Sequence, residues 1–306
     1  MRTGIILAMA GATILLGAVQ AEAFGTIGSL GQNVEHERVT RQGLAGFGMG
    51  PMTMDEIAGK RGTFGAVGAP DRPDRGLMSA SEVHCDNGDW LDRPDYPRSR
   101  EEARGVLESC RALIFAGMEQ AVEAAGALVS ASGDLAIDAR QASITPACRY
   151  TGRSGRAKCN VLENMGLAFH AAQDFYSHSN WVDPLRRAGA RLEDPPGMGQ
   201  ASPIDWLDIT QGDARFPDGL ISGCYEGFPE SRHCAGRVKH ATLNKDTRGA
   251  SRGQGGVYTL AMDVAAEDTR MRWAWFEQRV MHVYGSERGG RIVCVMRNDD
   301  PAKCRV

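Results

Sequence analysis

The chain has 306 residues, of which 42% are hydrophobic, 24% charged and 7% aromatic, and its formal net charge is −3. That length suits one large or two small domains with a sizeable core. The negative balance gives no electrostatic case for nucleic acid or an anionic membrane surface as a partner.

The opening MRTGIILAMAGATILLGAVQAEAFG combines Arg2, an apolar run from Gly4 to Val19 and the small-x-small triplet Ala21-Glu22-Ala23. This is the layout of an export signal, and the run is short for a membrane span. Residues 1–23 are predicted as a signal peptide, whose removal leaves 306 − 23 = 283 residues beginning at Phe24. No later stretch is apolar enough to cross a bilayer. Residues 24–306 are therefore expected as a single domain, secreted or otherwise extracytoplasmic, with no transmembrane anchor.

Outside the cytoplasm cysteines oxidise. The chain has 8 of them and no CxxC, and six fall into close pairs: Cys148 with Cys159, Cys224 with Cys234, Cys294 with Cys304. Pairing between neighbours is expected, which leaves Cys85 for Cys110. Each small loop so closed would contribute roughly 2 to 3 kcal/mol if unstrained.

In chain order, residues 24–50 are glycine-rich, with a helix expected from near Val34 in NVEHERVTRQGLAGF. Residues 59–98 hold clusters such as GAPDRPDRG and DRPDYP, which is loop chemistry. The closely spaced glycines of GTFGAVGAP lack a preceding strand and a following helix, so a phosphate loop is not expected. A long helix follows Ser99 or Arg100, with Glu101 and Glu102 in its first turn. Its apolar stripe runs through Leu107, Cys110, Ile114, Met118 and Val122, with Gly117 as the weak position. A second helix spans Asn160 to about Ser177, residues 183–237 are rich in Pro, Gly and Asp, and a third helix runs from Val257 to about Val283. Strand-like alternation is scarce. The expected fold is mostly α with long, disulfide-pinned loops.

Chemistry concentrates in LAFHAAQDFYSHSNWVD, residues 167–183. On a helix, residues four apart differ by about 40° in direction and about 6 Å in rise, so His170, Asp174 and His178 share one face. Residues at i and i+4 can grip one metal ion, but His170 and His178 would stand about 12 Å apart along a straight axis. More than one ion, with Asp174 in the middle and its two oxygens free to bridge, is the economical solution. Taken alone, a His four residues from an Asp is better read as an ordinary ion pair on a solvent face. The apolar flank of Ala168, Phe169, Ala171 and Phe175 argues otherwise, because buried ionisable groups are costly unless paired or metal-bound.

This stretch resembles the LHxxQDFYSHSNWVE pattern of the HET-C and von-Willebrand-A-domain-7 relatives, which are placed near the zinc-dependent phospholipase C and P1 nuclease fold. AFG at the expected mature start, GQNVEHERVTRQGL, HCDNGDWLD and HATLNKD agree in order, and the whole chain resembles exported bacterial proteins labelled CinY. The resemblance implies a helical bundle of the phospholipase C / P1 nuclease type, a cluster of zinc ions and phosphodiester hydrolysis. His170 and Asp174 match the paired ligands of the HxxxD helix, with the aspartate bridging two ions. His36 matches an N-terminal ligand and His84 a middle one, with Asp86 as ligand or general base. His178 follows Asp174 at a shorter interval than in the phospholipases. No HxxxE is present; His240 is the nearest candidate, followed by Asn244 and Asp246. The phospholipases also use the mature N-terminal amine, from a tryptophan where Phe24 stands here.

Each residue has a plainer reading. His36 alone fits a wet helix between Glu35 and Glu37, His84 and Asp86 a loop held by the Cys85 disulfide, and His240 a solvated position beside Lys239. LNKD fits an Asx-turn, His233 and His282 surface or packing roles, and Trp273 and Trp275 core and rim. Two functions follow. The first is an exported zinc-dependent, phospholipase C-like hydrolase acting on a phosphodiester or phospholipid, with no nucleic-acid substrate. The second is a secreted non-catalytic HET-C-like binding or structural module that keeps its metal sites.

Overall fold

A computed structural model describes residues 24–26, 34–186, 191–227 and 230–304. The predicted signal peptide, residues 1–23, lies outside them. The described helices are α1 (Glu35–Leu44), α2 (Pro51–Ala58), α3 (Ser81–His84), α4 (Arg100–Ala125), α5 (Ala157–His178), α6 (Glu230–His233), α7 (His240–Leu243), α8 (Val257–Tyr284) and α9 (Ser286–Arg297). Among the described residues β-pairing is limited to isolated bridges. No described helix is long and apolar enough to cross a membrane.

The three long helices stand where the apolar spacing places them. At the start of α4, Ser99 Oγ accepts from Glu102 N–H at 3.2 Å while Glu102 Oε2 accepts from Ser99 N–H at 2.7 Å. This capping box satisfies two helix-end donors, and its serine is worth roughly 1 kcal/mol. Gly117 has a packing reason: a Cβ there would lie 3.0 Å from Asn164 O and 3.3 Å from the Ala168 methyl, so the glycine lets α4 close onto α5. The sequence reading did not find α2 or α9. Pro51 opens α2 at its first turn, a start signal that was present but unused. In α9, Gly289 and Gly290 weaken local propensity; burial of Ile292, Val295 and Met296 and the Cys294–Cys304 bridge supply what they lack.

α5 is the centre of the molecule. Every residue from Ala168 to Asp183 is buried, which an amphipathic surface helix never shows. Leu107, Ile114 and Met118 of α4 and Trp273 and Phe276 of α8 belong to the same core as Phe169 and Phe175. Each such side chain contributes roughly 1.5 to 3 kcal/mol by leaving water. Gly166 matters most among the α5 contacts, since a Cβ there would sit 2.4 Å from Ala66 C. The helix thus rests directly on the 62–70 glycine loop.

The cysteines pair as neighbours: Cys85–Cys110, Cys148–Cys159, Cys224–Cys234 and Cys294–Cys304. The Pro/Gly/Asp-rich segment is tied to the end of α5 by Asn180. Its Nδ2 donates to Pro196 O at 2.8 Å and Gly219 O at 2.9 Å, and its Oδ1 accepts from Ile221 N–H at 3.0 Å. Trp273 is core and Trp275 half-buried.

Candidate metal centre

Asp174 stands midway along the polar face of buried α5. Its Oδ2 lies 2.8 Å from His84 Nδ1 and 3.2 Å from His170 Nε2, and its Oδ1 lies 3.2 Å from His36 Nε2. Asp71 adds an oxygen 3.6 Å from His170 Nε2 and 4.0 Å from His84 Nδ1. One turn further on, His178 belongs to a second group. Its Nδ1 is 3.3 Å from Asp86 Oδ1, its Nε2 3.4 Å from Asp246 Oδ1, and its ring centroid 4.2 Å from that of His240. The helix stays regular through His178, so the two histidines serve different groups, as the rise along a helix axis requires.

Loops bring the remaining side chains in. Cys85 takes a left-handed turn (φ 51°) at the end of α3 and is bonded to α4, which sets His84 and Asp86 on either side of a fixed point. Residues 222–224 run between the parts of the second group. Gly223 N–H donates to His178 O at 3.1 Å, Asn87 N–H to Gly223 O at 2.7 Å, and His240 N–H to Cys224 O at 2.9 Å. Buried Asp89 holds this assembly through Arg237, at 2.6 Å.

Each imidazole of the first group has an acceptor behind it. His170 Nδ1 donates to Val67 O at 2.9 Å, His84 Nε2 to Leu77 O at 3.2 Å and His36 Nδ1 to Gln173 Oε1 at 2.8 Å. Each imidazole is thus held from behind through one nitrogen and turns the other toward Asp174 and its neighbours. In these two groups several buried atoms have no hydrogen bond among the described residues: His36 Nε2, Asp174 Oδ1, Asp86 Oδ1, His178 Nε2, both nitrogens of His240, Glu230 Oε1 and Asp246 Oδ2. Six of them meet an ion-pair partner at 3.2 to 3.6 Å without forming a hydrogen bond, and a buried polar group left without one costs roughly 1 to 3 kcal/mol. Their concentration around two points is the arrangement a cation would satisfy. Among the described residues three sets approach closely enough to hold an ion: His36, Asp71 and His170; His84, His170 and Asp174; Asp86, His178 and His240.

Burial opposes charge on Asp174, yet His170, His178 and His36 together hold its carboxyl well below the usual range. Burial would likewise strip the His84 proton, but the hydrogen bond and charge of Asp174 reverse this and raise the group to about 9. His178 is raised well above the ordinary value, burial being outweighed by Asp86 and Asp174. His36 is raised in the same way by Asp174, whereas burial wins at His170 and lowers it.

Of the residues singled out in the sequence, His36, His84, His170 and Asp174 meet in the first group, and Asp86, His178 and His240 in the second. None is solvated, the most exposed of them, His84, being 4% accessible, although Asp86 does stand in a loop beside the Cys85 disulfide. Asp86 takes a ligand-like position facing His178. LNKD is an Asx-turn, with Asn244 Oδ1 accepting from Asp246 N–H at 2.8 Å, and the same turn points Asp246 at His178. His233 and His282 are exposed.

Asp71, Gln173 and Glu230 were not found as site residues. Asp71 lies in GAPDRPDRG, where Pro and Gly signal only a turn. Glu230, 3.6 Å from His240 Nδ1, lies in the loop closed by Cys224–Cys234. Gln173 alone left a trace, as an amide beside Asp174 on the buried half of α5. Phe24, the expected first mature residue, is fully buried with its ring perpendicular to that of His36 at 5.9 Å. Gly25 N–H donates to Glu35 Oε2 at 3.1 Å. No family model, curated protein or solved structure matches the chain.

Proposed function

We propose that the protein is an exported zinc-dependent phosphodiester hydrolase, phospholipase C-like in reaction and in the type of its helical bundle. The observation that carries this reading is Asp174, one carboxylate shared by three imidazoles through both oxygens, with a second His/Asp group one helical turn away.

The donor set fits zinc. Four ligands at about 2.0 to 2.1 Å from one tetrahedral ion stand about 3.3 Å from each other. From His170 Nε2 the distances to His84 Nδ1, Asp174 Oδ2 and Asp71 Oδ1 are 3.1, 3.2 and 3.6 Å. Imidazole and carboxylate without thiolate is the ligand set of hydrolytic zinc, and every cysteine is bound in a disulfide. His84, His170, Asp71 and Asp174 would hold one ion, His36 with Asp174 another, and Asp86, His178 and His240 with Asp246 a third.

Bound zinc would supply an activated water and neutralise phosphoryl charge during in-line displacement. The chain's own part is positional. Val67 O, Leu77 O and Gln173 orient the imidazoles, Asp174 ties the groups together, and Glu230 faces the outer nitrogen of His240. The phosphodiester class, with a phospholipid preferred over nucleic acid, comes from the family resemblance and the net charge of −3. The four disulfides suit an extracytoplasmic site of action.

The second reading is a secreted module that keeps metals without turnover. It is favoured by Asn244, which caps its own turn at the place where the phospholipases carry a glutamate ligand. Hydrolysis of a chromogenic phosphocholine ester and of single-stranded DNA, with and without chelator, separates the two. Chelator-sensitive cleavage of the ester, lost in His170→Ala, is the expected result. Near-stoichiometric metal with no turnover on either substrate would leave only the module, and folded protein without tightly held metal would end both readings.

A pH dependence follows from the charge on the metal-free cluster. At pH 7 His84, raised to about 9, carries a proton that an incoming ion must displace. Zinc affinity should therefore rise as pH increases toward 9, and loading at pH 7 should release protons. Calorimetric titrations in two buffers of different ionisation enthalpy measure that release directly.

A further inference from the structure

The partners behind His36 form a chain in which each link sets the next. Thr269, on α8, donates its hydroxyl to Ala265 O at 2.8 Å. Its oxygen is thereby left as an acceptor, and Gln173 Nε2 donates to it at 3.0 Å and to Thr40 Oγ1 of α1 at 3.0 Å. With both amide hydrogens engaged there, Oε1 is the end of Gln173 that meets His36 Nδ1, at 2.8 Å. A carbonyl oxygen only accepts, so Nδ1 keeps its proton, and when an incoming ion displaces any proton from the other nitrogen the one left bare is Nε2, 3.2 Å from Asp174 Oδ1. The reversed amide would present NH2 to Nδ1, move the proton to Nε2 and aim an N–H at the cluster. Gln173, Thr40 and Thr269 are at most 1% exposed, so solvent does not compete for these bonds.

His36 differs in this respect from its neighbours. His170 and His84 are oriented by the main-chain carbonyls of Val67 and Leu77, which cannot be inverted. His36 depends on a side-chain amide whose two ends have almost the same shape, so something must decide which end faces it. We propose that Gln173 and Thr269 are positioning residues that fix the tautomer of His36 and keep its Nε2 open for a metal ion; the metal part rests on the zinc reading of the cluster. The deciding group is then a hydroxyl on α8 that touches no candidate ligand itself but acts through Gln173.

The test uses the mature chain labelled with 15N-histidine, with His36 assigned by its loss in His36→Gln. Long-range proton–nitrogen spectra of the zinc-loaded protein should show His36 protonated at Nδ1. Gln173→Leu should weaken one zinc site by roughly 10- to 100-fold, the usual effect of losing an outer-shell partner. Thr269→Val, which keeps shape and removes the hydroxyl, should weaken the same site and introduce a His36 population protonated at Nε2. Thr269→Ser should restore both, and Gln173→Glu, which retains an acceptor toward Nδ1, should keep the wild-type tautomer. Wild-type zinc affinity together with an unchanged Nδ1–H signal in Gln173→Leu and Thr269→Val would overturn the proposal. A wild-type chain that holds no zinc defeats the metal reading instead. The relay is then read from neutral His36 at high pH, where Nε2–H in the wild type overturns it and Nδ1–H supports it.

Discussion

Asp174→Ala is expected to strip the cluster of tightly held zinc and to destabilise the fold even before metal is added. The carboxylate is fully buried and faces three imidazoles at 2.8 to 3.2 Å. Removing it leaves those imidazoles facing one another with only the more distant Asp71 carboxylate, at 3.6 to 4.0 Å from two of them, to offset their charge. Breaking a buried charged pair by deleting one partner costs about 3 to 5 kcal/mol. Asp174→Asn separates shape from charge, since the amide fills the same volume and retains one acceptor. Its zinc affinity should still fall by more than the roughly 100-fold ceiling typical of outer-shell changes, because a shared anionic ligand is lost. Metal content after dialysis, by mass spectrometry, reads the first effect, and denaturant melts of the metal-free proteins read the second. Wild-type zinc content in Asp174→Asn would show that the carboxylate is a structural ion-pair partner and no bridge.

The second large effect is expected away from the ligands, in the paired substitution Cys85→Ser with Cys110→Ser. The bridge closes a span of 25 residues, which in the chain-entropy account is worth about 3.5 kcal/mol. Its consequence for the site should exceed its consequence for the fold. Cys85 sits between His84 and Asp86 in a left-handed conformation that costs a non-glycine residue energy, and the bond to α4 helps keep it there. Released, the turn can relax and carry His84 and Asp86 away from α5. Zinc affinity in both groups should drop while helicity is retained. The Cys294→Ser/Cys304→Ser pair is the control, since its loop of 10 residues is remote from the cluster and should cost stability alone. Equal loss of metal in both pairs would mean that the disulfides act only through global stability.

Much of this was legible along the chain because it is local. The extents of α4, α5 and α8 follow from apolar periodicity, which one helix displays without its neighbours. The disulfide partners followed from spacing, since three of the four bridges join cysteines 10 or 11 residues apart. That His170 and His178 cannot share an ion followed from the rise of a helix alone. α9 was missed because its stability comes from burial and a covalent bridge, which its two glycines conceal. Asp71 was missed because, among Pro and Gly, an aspartate is also the ordinary turn residue.

The sequence by itself determined the helix that bears the cluster, the order of His170, Asp174 and His178 on one face, and the separation of His170 from His178 into different groups. Only the tertiary structure decided which distant residues complete each group: His36, His84 and Asp71 around Asp174, and Asp86, His240 and Asp246 around His178. The physical reason is range. Periodicity and propensity act over one or two helical turns, whereas the convergence of residues as distant along the chain as His36 and Asp174 is set by how α1 and α8 pack on α5.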